Sequence, residues 1–123
     1  MAQDELLKVS ALGAIRLVEL FLPGDLDSTE FDRLNDGLVD VFTPPDDQGQ
    51  QGARWIIDLT NVAYLGSAGL GLLVNIRQRV KSANGQLALC QMNPRLHQIF
   101  RTCSLERLFT ITRTREDAVR ALR

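Results

Sequence analysis

The chain is poor in the residues from which most metal and redox sites are built: 123 residues hold one histidine and two cysteines. Cys90 and Cys103 have no Cys-x-x-Cys spacing and no histidine at ligand distance, so neither a zinc site nor a dithiol motif is written here. Both are expected to be small buried apolar residues in a reducing compartment. The acidic residues are scattered, with no cluster at metal-ligand spacing. Lysines and arginines nearly balance acids, at a formal net charge of −1, and no block of like charge supplies the basic stripe that nucleic acid requires. No apolar run approaches the roughly 20 residues of a transmembrane helix. The first residues, Met-Ala-Gln-Asp-Glu, lack a signal-peptide pattern. These absences lead to the expectation of a soluble, cytoplasmic protein without metal, cofactor, membrane or nucleic-acid partner.

The common catalytic motifs are missing as well. A hydrolase elbow needs Gly-x-Ser-x-Gly, and the residue two before Ser67 is Leu65. The single histidine, His97, falls on the flank of a helix, where a surface or half-buried role is the ordinary one. Gly66, Gly69 and Gly71 fit neither a P-loop, because Gly71 is followed by Leu72-Leu73, nor the Gly-x-Gly-x-x-Gly spacing. They read instead as glycines that permit a tight turn and close helix-to-sheet packing.

What is present is a regular alternation. A hydrophobic content of 45% and a charged content of 24% are ordinary for a globular chain of this length, expected to form a single domain over residues 1–123. Leu6 to Leu12 and Ala14 to Leu22 are strand-like runs split by Gly13, which suits a hairpin turn. In the second run Ile15, Leu17 and Phe21 share one face with Glu19. Val18, Leu20 and Leu22 share the other with Arg16, so both faces are expected to be covered. Pro23-Gly24-Asp25 ends that strand. Asp27 and Glu30 then have capping-box spacing, Leu26 and Phe31 staple spacing, ahead of a helix burying Phe31, Leu34, Leu38, Val41 and Phe42. Thr43 to Ala53 has no periodicity and reads as an exposed loop.

Further on, Asn84-Gly85 is a helix stop and Gln86 to Cys90 the next strand. Asn93-Pro94 caps a helix carrying Leu96, Ile99, Phe100 and Cys103. Leu108 to Thr112 reads as a last strand. Thr114 opens a final helix burying Ala118, Val119 and Leu122, with Arg120 and Arg123 suited to its C-terminal end. The order β-β-α-β-α-β-α-β-α predicts an α/β fold. Its mixed sheet of about five strands has an antiparallel hairpin followed by parallel strands, flanked by about four helices.

The centre of the chain is Asp58 to Val80. Arg54 to Ile57 read as a short buried strand ending at Asp58, with Thr60, Asn61 and Gly66 signalling a turn. Gly69, Leu72, Leu73, Ile76, Val80 and Ala83 then fall on one helix face. Ser67 sits where that helix begins. A serine there is a favoured N-cap, whose oxygen accepts a bond from a first-turn N–H. The same free N–H groups and partial positive charge also favour an anion at that place. Leu70 and Val74 lie off the core face beside Arg77 and Lys81. They form either a small docking stripe or an apolar flank that neighbouring loops cover.

Asp58-Leu59-Thr60, Val62 and Leu65-Gly66-Ser67-Ala68-Gly69-Leu70-Gly71 together resemble the signature of STAS domains, which include the bacterial anti-sigma factor antagonists. Gly24-Asp25-Leu26-Asp27 similarly resembles the Gly-Glu-Leu-Asp before the first helix of that family. The family's loop typically reads Asp-Ser-Ser/Thr-Gly-Leu-Gly, with one hydroxyl phosphorylated by a partner kinase. Ser67 stands at the first hydroxyl position, Ala68 at the second, and Gly66 replaces the aspartate. The resemblance implies a STAS-like sandwich and a non-enzymatic partner-switching role. An anti-sigma factor that is also a serine kinase would phosphorylate Ser67, and a serine phosphatase would reverse it. Contacts would involve Gly66, Ala68, Gly69, Leu70, Val74 and Arg77. The departures at Gly66 and Ala68 keep open a second reading, an unphosphorylated STAS scaffold or soluble subunit of a transport or lipid-trafficking complex.

Overall fold

Gly13, at φ +64°, reverses the chain in a conformation that costs glycine little. It joins β1 (Leu7–Leu12) to β2 (Ile15–Leu22) as an antiparallel pair with Leu12 opposite Ile15. This hairpin opens the computed structural model of the chain, which describes residues 6–22, 27–42 and 52–122. From β2 onward every pairing is parallel: β3 (Arg54–Val62) joins β2, β4 (Gln86–Cys90) joins β3, and β5 (Thr110–Thr112) joins β4. The sheet order is therefore β1-β2-β3-β4-β5.

A monotonic strand order has a topological consequence. Crossovers that all step in one direction with one hand must all lie on the same face of the sheet. The burial pattern agrees. Leu34, Leu38 and Phe42 of α1 (Ser28–Phe42) share one core cluster with Leu72, Leu73 and Ile76 of α2 (Ser67–Ser82), Leu96 and Phe100 of α3 (Pro94–Thr102), and strand residues such as Val18, Leu20, Ile57 and Leu89. Among the described residues the opposite face is covered by α4 (Arg115–Ala121), through Ala118 and the following Leu122, over Ile15, Leu17, Ile56, Ala88 and Cys90. Both predicted faces of β2 are thus buried, against different helices.

The helix ends follow their sequence signals. The Asp27 carboxylate accepts from Glu30 N–H at 2.7 Å while Glu30 accepts from Asp27 N–H at 3.1 Å, a reciprocal capping box. Thr114 accepts from Asp117 N–H at 3.0 Å at the start of α4. The end of α2 is a Schellman motif: Asn84 takes φ +58°, its N–H bonds Lys81 O, and Gly85 N–H bonds Val80 O. Gly85 is glycine for a steric reason, since a Cβ there would stand 2.5 Å from Ala53 O.

Some expectations need correction. The central strand does not stop at Asp58 but continues to Val62, and Thr60-Asn61 marks a bulge inside it. Glu19 pairs with Asp58 and Phe21 with Asn61, so β3 uses one residue more than β2 over that interval. The extra residue shifts the alternation: Trp55, Ile57 and Leu59 face the main core before it, and Val62 after it. The last strand begins at Thr110, because Leu105–Arg107 form a 3-10 turn first. Cys90 is buried as expected, but Cys103 follows the last turn of α3 and is exposed. The proposed staple residue Leu26, the Pro23-Gly24-Asp25 stop, residues 43–51 of the long loop and Arg123 lie outside the described residues. No helix among the described residues is long and apolar enough to cross a membrane.

Candidate functional site: the loop between β3 and α2

The loop is fixed by its buried ends. Val62 closes β3 in the core, and Ala63 N–H bonds Leu22 O at 3.0 Å. Leu65 is the buried anchor of the loop; it tucks under the first turn of α2, where a Cβ on Gly69 would approach its Cδ2 to 2.8 Å. From the other side the Asn93 amide donates to Val62 O at 3.2 Å and Ala63 O at 3.4 Å, while its Oδ1 caps α3 by accepting from Leu96 N–H at 2.7 Å. One side chain thereby ties the start of α3 to the exit of β3.

Helix α2 begins one residue earlier in its own frame than expected. Gly66 is extended, at φ −85° and ψ −172°, and its carbonyl accepts the first helical bond from Leu70 N–H at 3.0 Å. Gly66 is therefore the N-cap and Ser67 is the first helical residue. No side chain caps the helix, and the Ser67 hydroxyl has no hydrogen-bond partner among the described residues. Ser67 and Ala68 are exposed, Gly66 and Gly69 half-buried. Of the loop glycines only Gly69 is closely approached. Gly66 has an ordinary negative φ, and a Cβ on Gly71 would meet nothing within 4 Å.

The remaining expected contact residues do not form an exposed patch with Ser67. Leu70 is 8% exposed and belongs to the main core, so the exposed apolar stripe on that flank is not formed. Val74 is half-buried against the same core. Arg77 lies about 15 Å along the helix from Ser67, at 1.5 Å per residue. Its Nε donates to Leu108 O, which ties α2 to the segment entering β5. His97 is half-buried and pairs with Glu106 at 3.5 Å. Among the described residues no three potential metal ligands converge.

Sequence reasoning missed what surrounds the loop between β3 and α2. Asp58, 2% exposed, is the one buried charged residue among those described. Its Oδ1 accepts from Thr60 N–H at 2.8 Å and Thr60 Oγ1 at 2.5 Å, and its Oδ2 from Arg115 Nη2 at 2.7 Å and Nε at 3.1 Å. Burial pushes this carboxyl upward, but the Thr60 hydroxyl and N–H and the Arg115 guanidinium outweigh it and hold it below the ordinary aspartate value. Arg115 also reaches Glu19 at 3.3 Å, so α4 is pinned to β2 and β3 together. Tyr64 is 39% exposed on the loop, with the Arg95 guanidinium 5.9 Å from its ring centroid. The Asn93-Pro94 signal located one end of this arrangement. The pairings of Asp58 with Arg115 and of Tyr64 with Arg95 join residues far apart in sequence and leave no local pattern.

An exposed hydroxyl at an uncapped helix N-terminus, without a base hydrogen-bonded to it, is poorly equipped as a nucleophile and well placed to carry negative charge. Known proteins share this architecture. A STAS-domain containing protein of Pseudomonas aeruginosa is 34% identical over 59 residues, covering 48% of this chain and 58% of its own length, so the chain spans less than two thirds of that relative. The anti-sigma-B factor antagonist of Bacillus subtilis is 28% identical over 102 residues, covering 83% of this chain and 87% of its own. Among solved structures, the Bacillus cell fate determinant SpoIIAA in its phosphorylated form superposes with a TM-score of 0.62 at 18% identity, over 95% of this chain and 99% of that one. The STAS domain family model matches residues 12–118. The chain belongs to the STAS domain family.

Proposed function

We propose that this protein is an anti-sigma factor antagonist that works by partner switching, with Ser67 as its phosphate acceptor. The observation that carries the reading is the Ser67 hydroxyl itself, exposed at the first position of α2 and engaged by no described residue. The antagonist name of the B. subtilis relative and the phosphorylated form of SpoIIAA support it. In this reading the unmodified loop docks on an anti-sigma factor that is also a serine kinase, and the sigma factor is released. Phosphate is then transferred from ATP to Ser67, adding about −1.5 to −2 charges at neutral pH. The new charge opposes docking by desolvation and repulsion, and a loss of about 3 kcal/mol weakens affinity by roughly a hundredfold. A serine phosphatase restores the binding form. Ser67 is in this account a substrate.

The test is partner binding by Ser67→Asp and Ser67→Ala, with mass spectrometry of the protein from its native cells. Ser67→Asp is expected to lose the partner and Ser67→Ala to keep it, with phosphate found on Ser67. Equal binding by both variants would end the switching account and favour the scaffold reading.

A further inference from the structure

We propose that Tyr64 and Arg95 form the docking pair by which the kinase recognises the Ser67 loop, fitting an apolar pocket bordered by acidic side chains on that partner. The proposal rests on Ser67 being a phosphate acceptor and names what the enzyme acting on it must read. Tyr64 is one of three large hydrophobic residues exposed among those described, and it lies three residues before Ser67. Its ring flanks Gly66, where a Cβ would stand 3.7 Å from Tyr64 Cε2, so the ring lies against the residue that immediately precedes Ser67. A standard docking footprint of about 800 Å² per partner is roughly 30 Å across, and any protein seated over Ser67 must cover this ring.

Arg95 supplies the charge. It is exposed in the first turn of α3, its guanidinium over the Tyr64 ring. Arg115, Arg120 and His97 each have a carboxylate partner, whereas no carboxylate among the described residues lies within ion-pair distance of Arg95. An exposed cation beside the Ser67 loop is complemented by acidic groups on a docking partner. The pair is also held in place. Asn93, the N-cap of α3, bonds the carbonyls of Val62 and Ala63, so Arg95 and Tyr64 ride on two segments tied together within a few residues of each. A rigid aromatic under a cation loses little freedom on docking, and Tyr and Arg are the residue types in which interface energy concentrates.

The test measures radiolabel transfer from ATP to the purified full chain in an extract of its native cells, with Ser67→Ala as the blank. Arg95→Glu is expected to slow labelling by about tenfold or more, as removal of a well-placed interface charge does. Tyr64→Ala should slow it several-fold, and Arg95→Lys should fall between wild type and Arg95→Glu. Arg101→Glu, an exposed charge reversal near the other end of α3, should label at the wild-type rate. Unchanged thermal melting of each variant separates docking from misfolding. Wild-type labelling of Arg95→Glu and Tyr64→Ala would overturn the docking pair while leaving Ser67 an acceptor. No label on wild type above the blank would overturn the acceptor reading, and this proposal with it.

Discussion

Arg115→Ala is the sharpest test of how α4 is held. The guanidinium gives two of the four hydrogen bonds that Asp58 receives, at 2.7 and 3.1 Å. Removing it leaves a 2% exposed carboxylate supported by Thr60 alone and strips Glu19 of its partner. Breaking a buried pair in this way typically costs about 3–5 kcal/mol. The Arg115 side chain is 35% exposed, so water can take part of its place, and a loss of about 2–3 kcal/mol is the better figure. For a chain of this size that is about 8–15 °C in Tm.

The same pair fixes a pH dependence. Asp58 is held below its ordinary value in the folded state, so its contribution to stability is fully present above the unfolded-state value of about 4. It is lost as pH falls from there through the depressed folded value. Without Arg115, burial is opposed only by Thr60, and the folded-state value must rise. Urea unfolding of wild type and Arg115→Ala at pH 7 and again near pH 3 measures both effects: a large gap in midpoint at neutral pH, shrinking in acid as Asp58 takes up its proton first in the variant and, at lower pH, in the wild type. Equal midpoints at pH 7, or a gap that does not narrow in acid, would refute the idea that a charged Asp58 anchors α4.

Other consequences can be checked independently. Asn93→Ala removes the cap of α3 and two bonds to the β3 exit, for an expected loss of about 1–2 kcal/mol, with faster amide exchange over residues 63–66 by mass spectrometry. Gly85→Ala forces a Cβ against Ala53 O and should destabilise by about 1–3 kcal/mol in the same urea assay. Thiol labelling of the native protein should modify Cys103 quickly and Cys90 only on unfolding, because burial, with the nearby Asp58 charge adding to it, pushes the Cys90 thiol up to about 12.

The sequence announced its elements wherever the signal was local. Gly13, Asp27 with Glu30, Asn84-Gly85, Asn93-Pro94 and Thr114 each work within a few residues, and each sits where its spacing placed it. The failures share one cause. Thr60-Asn61 carries turn chemistry because Asp58 folds back on Thr60, yet the neighbouring strand continues to pair across that turn, and only the pairing reveals a bulge. Leu70 could be either a docking residue or a covered one on a helix considered alone, and only the assembled core shows it buried. Cys103 keeps the helical spacing of Ile99 and Phe100 but falls where α3 has already ended. The Asp58–Arg115 and Tyr64–Arg95 contacts depend on strand order, which no window of sequence contains.

A shift of one residue at the start of α2 decides what Ser67 can do. As an N-cap its oxygen would be directed at a first-turn N–H and saturated by it. With Gly66 in the capping position, that bond is not made, so no side chain takes up the first-turn N–H groups and the Ser67 hydroxyl keeps no partner among the described residues. A negative charge placed on Ser67 then stands at the positive end of the helix, where it should stabilise the free protein by about 0.3–1 kcal/mol. Ser67→Asp is therefore expected to melt no lower than wild type, while Ser67→Ala, which surrenders no cap, should melt at the wild-type temperature. A clear fall in Tm for Ser67→Ala would mean the hydroxyl is engaged in the fold after all, and its availability to a partner enzyme would have to be abandoned.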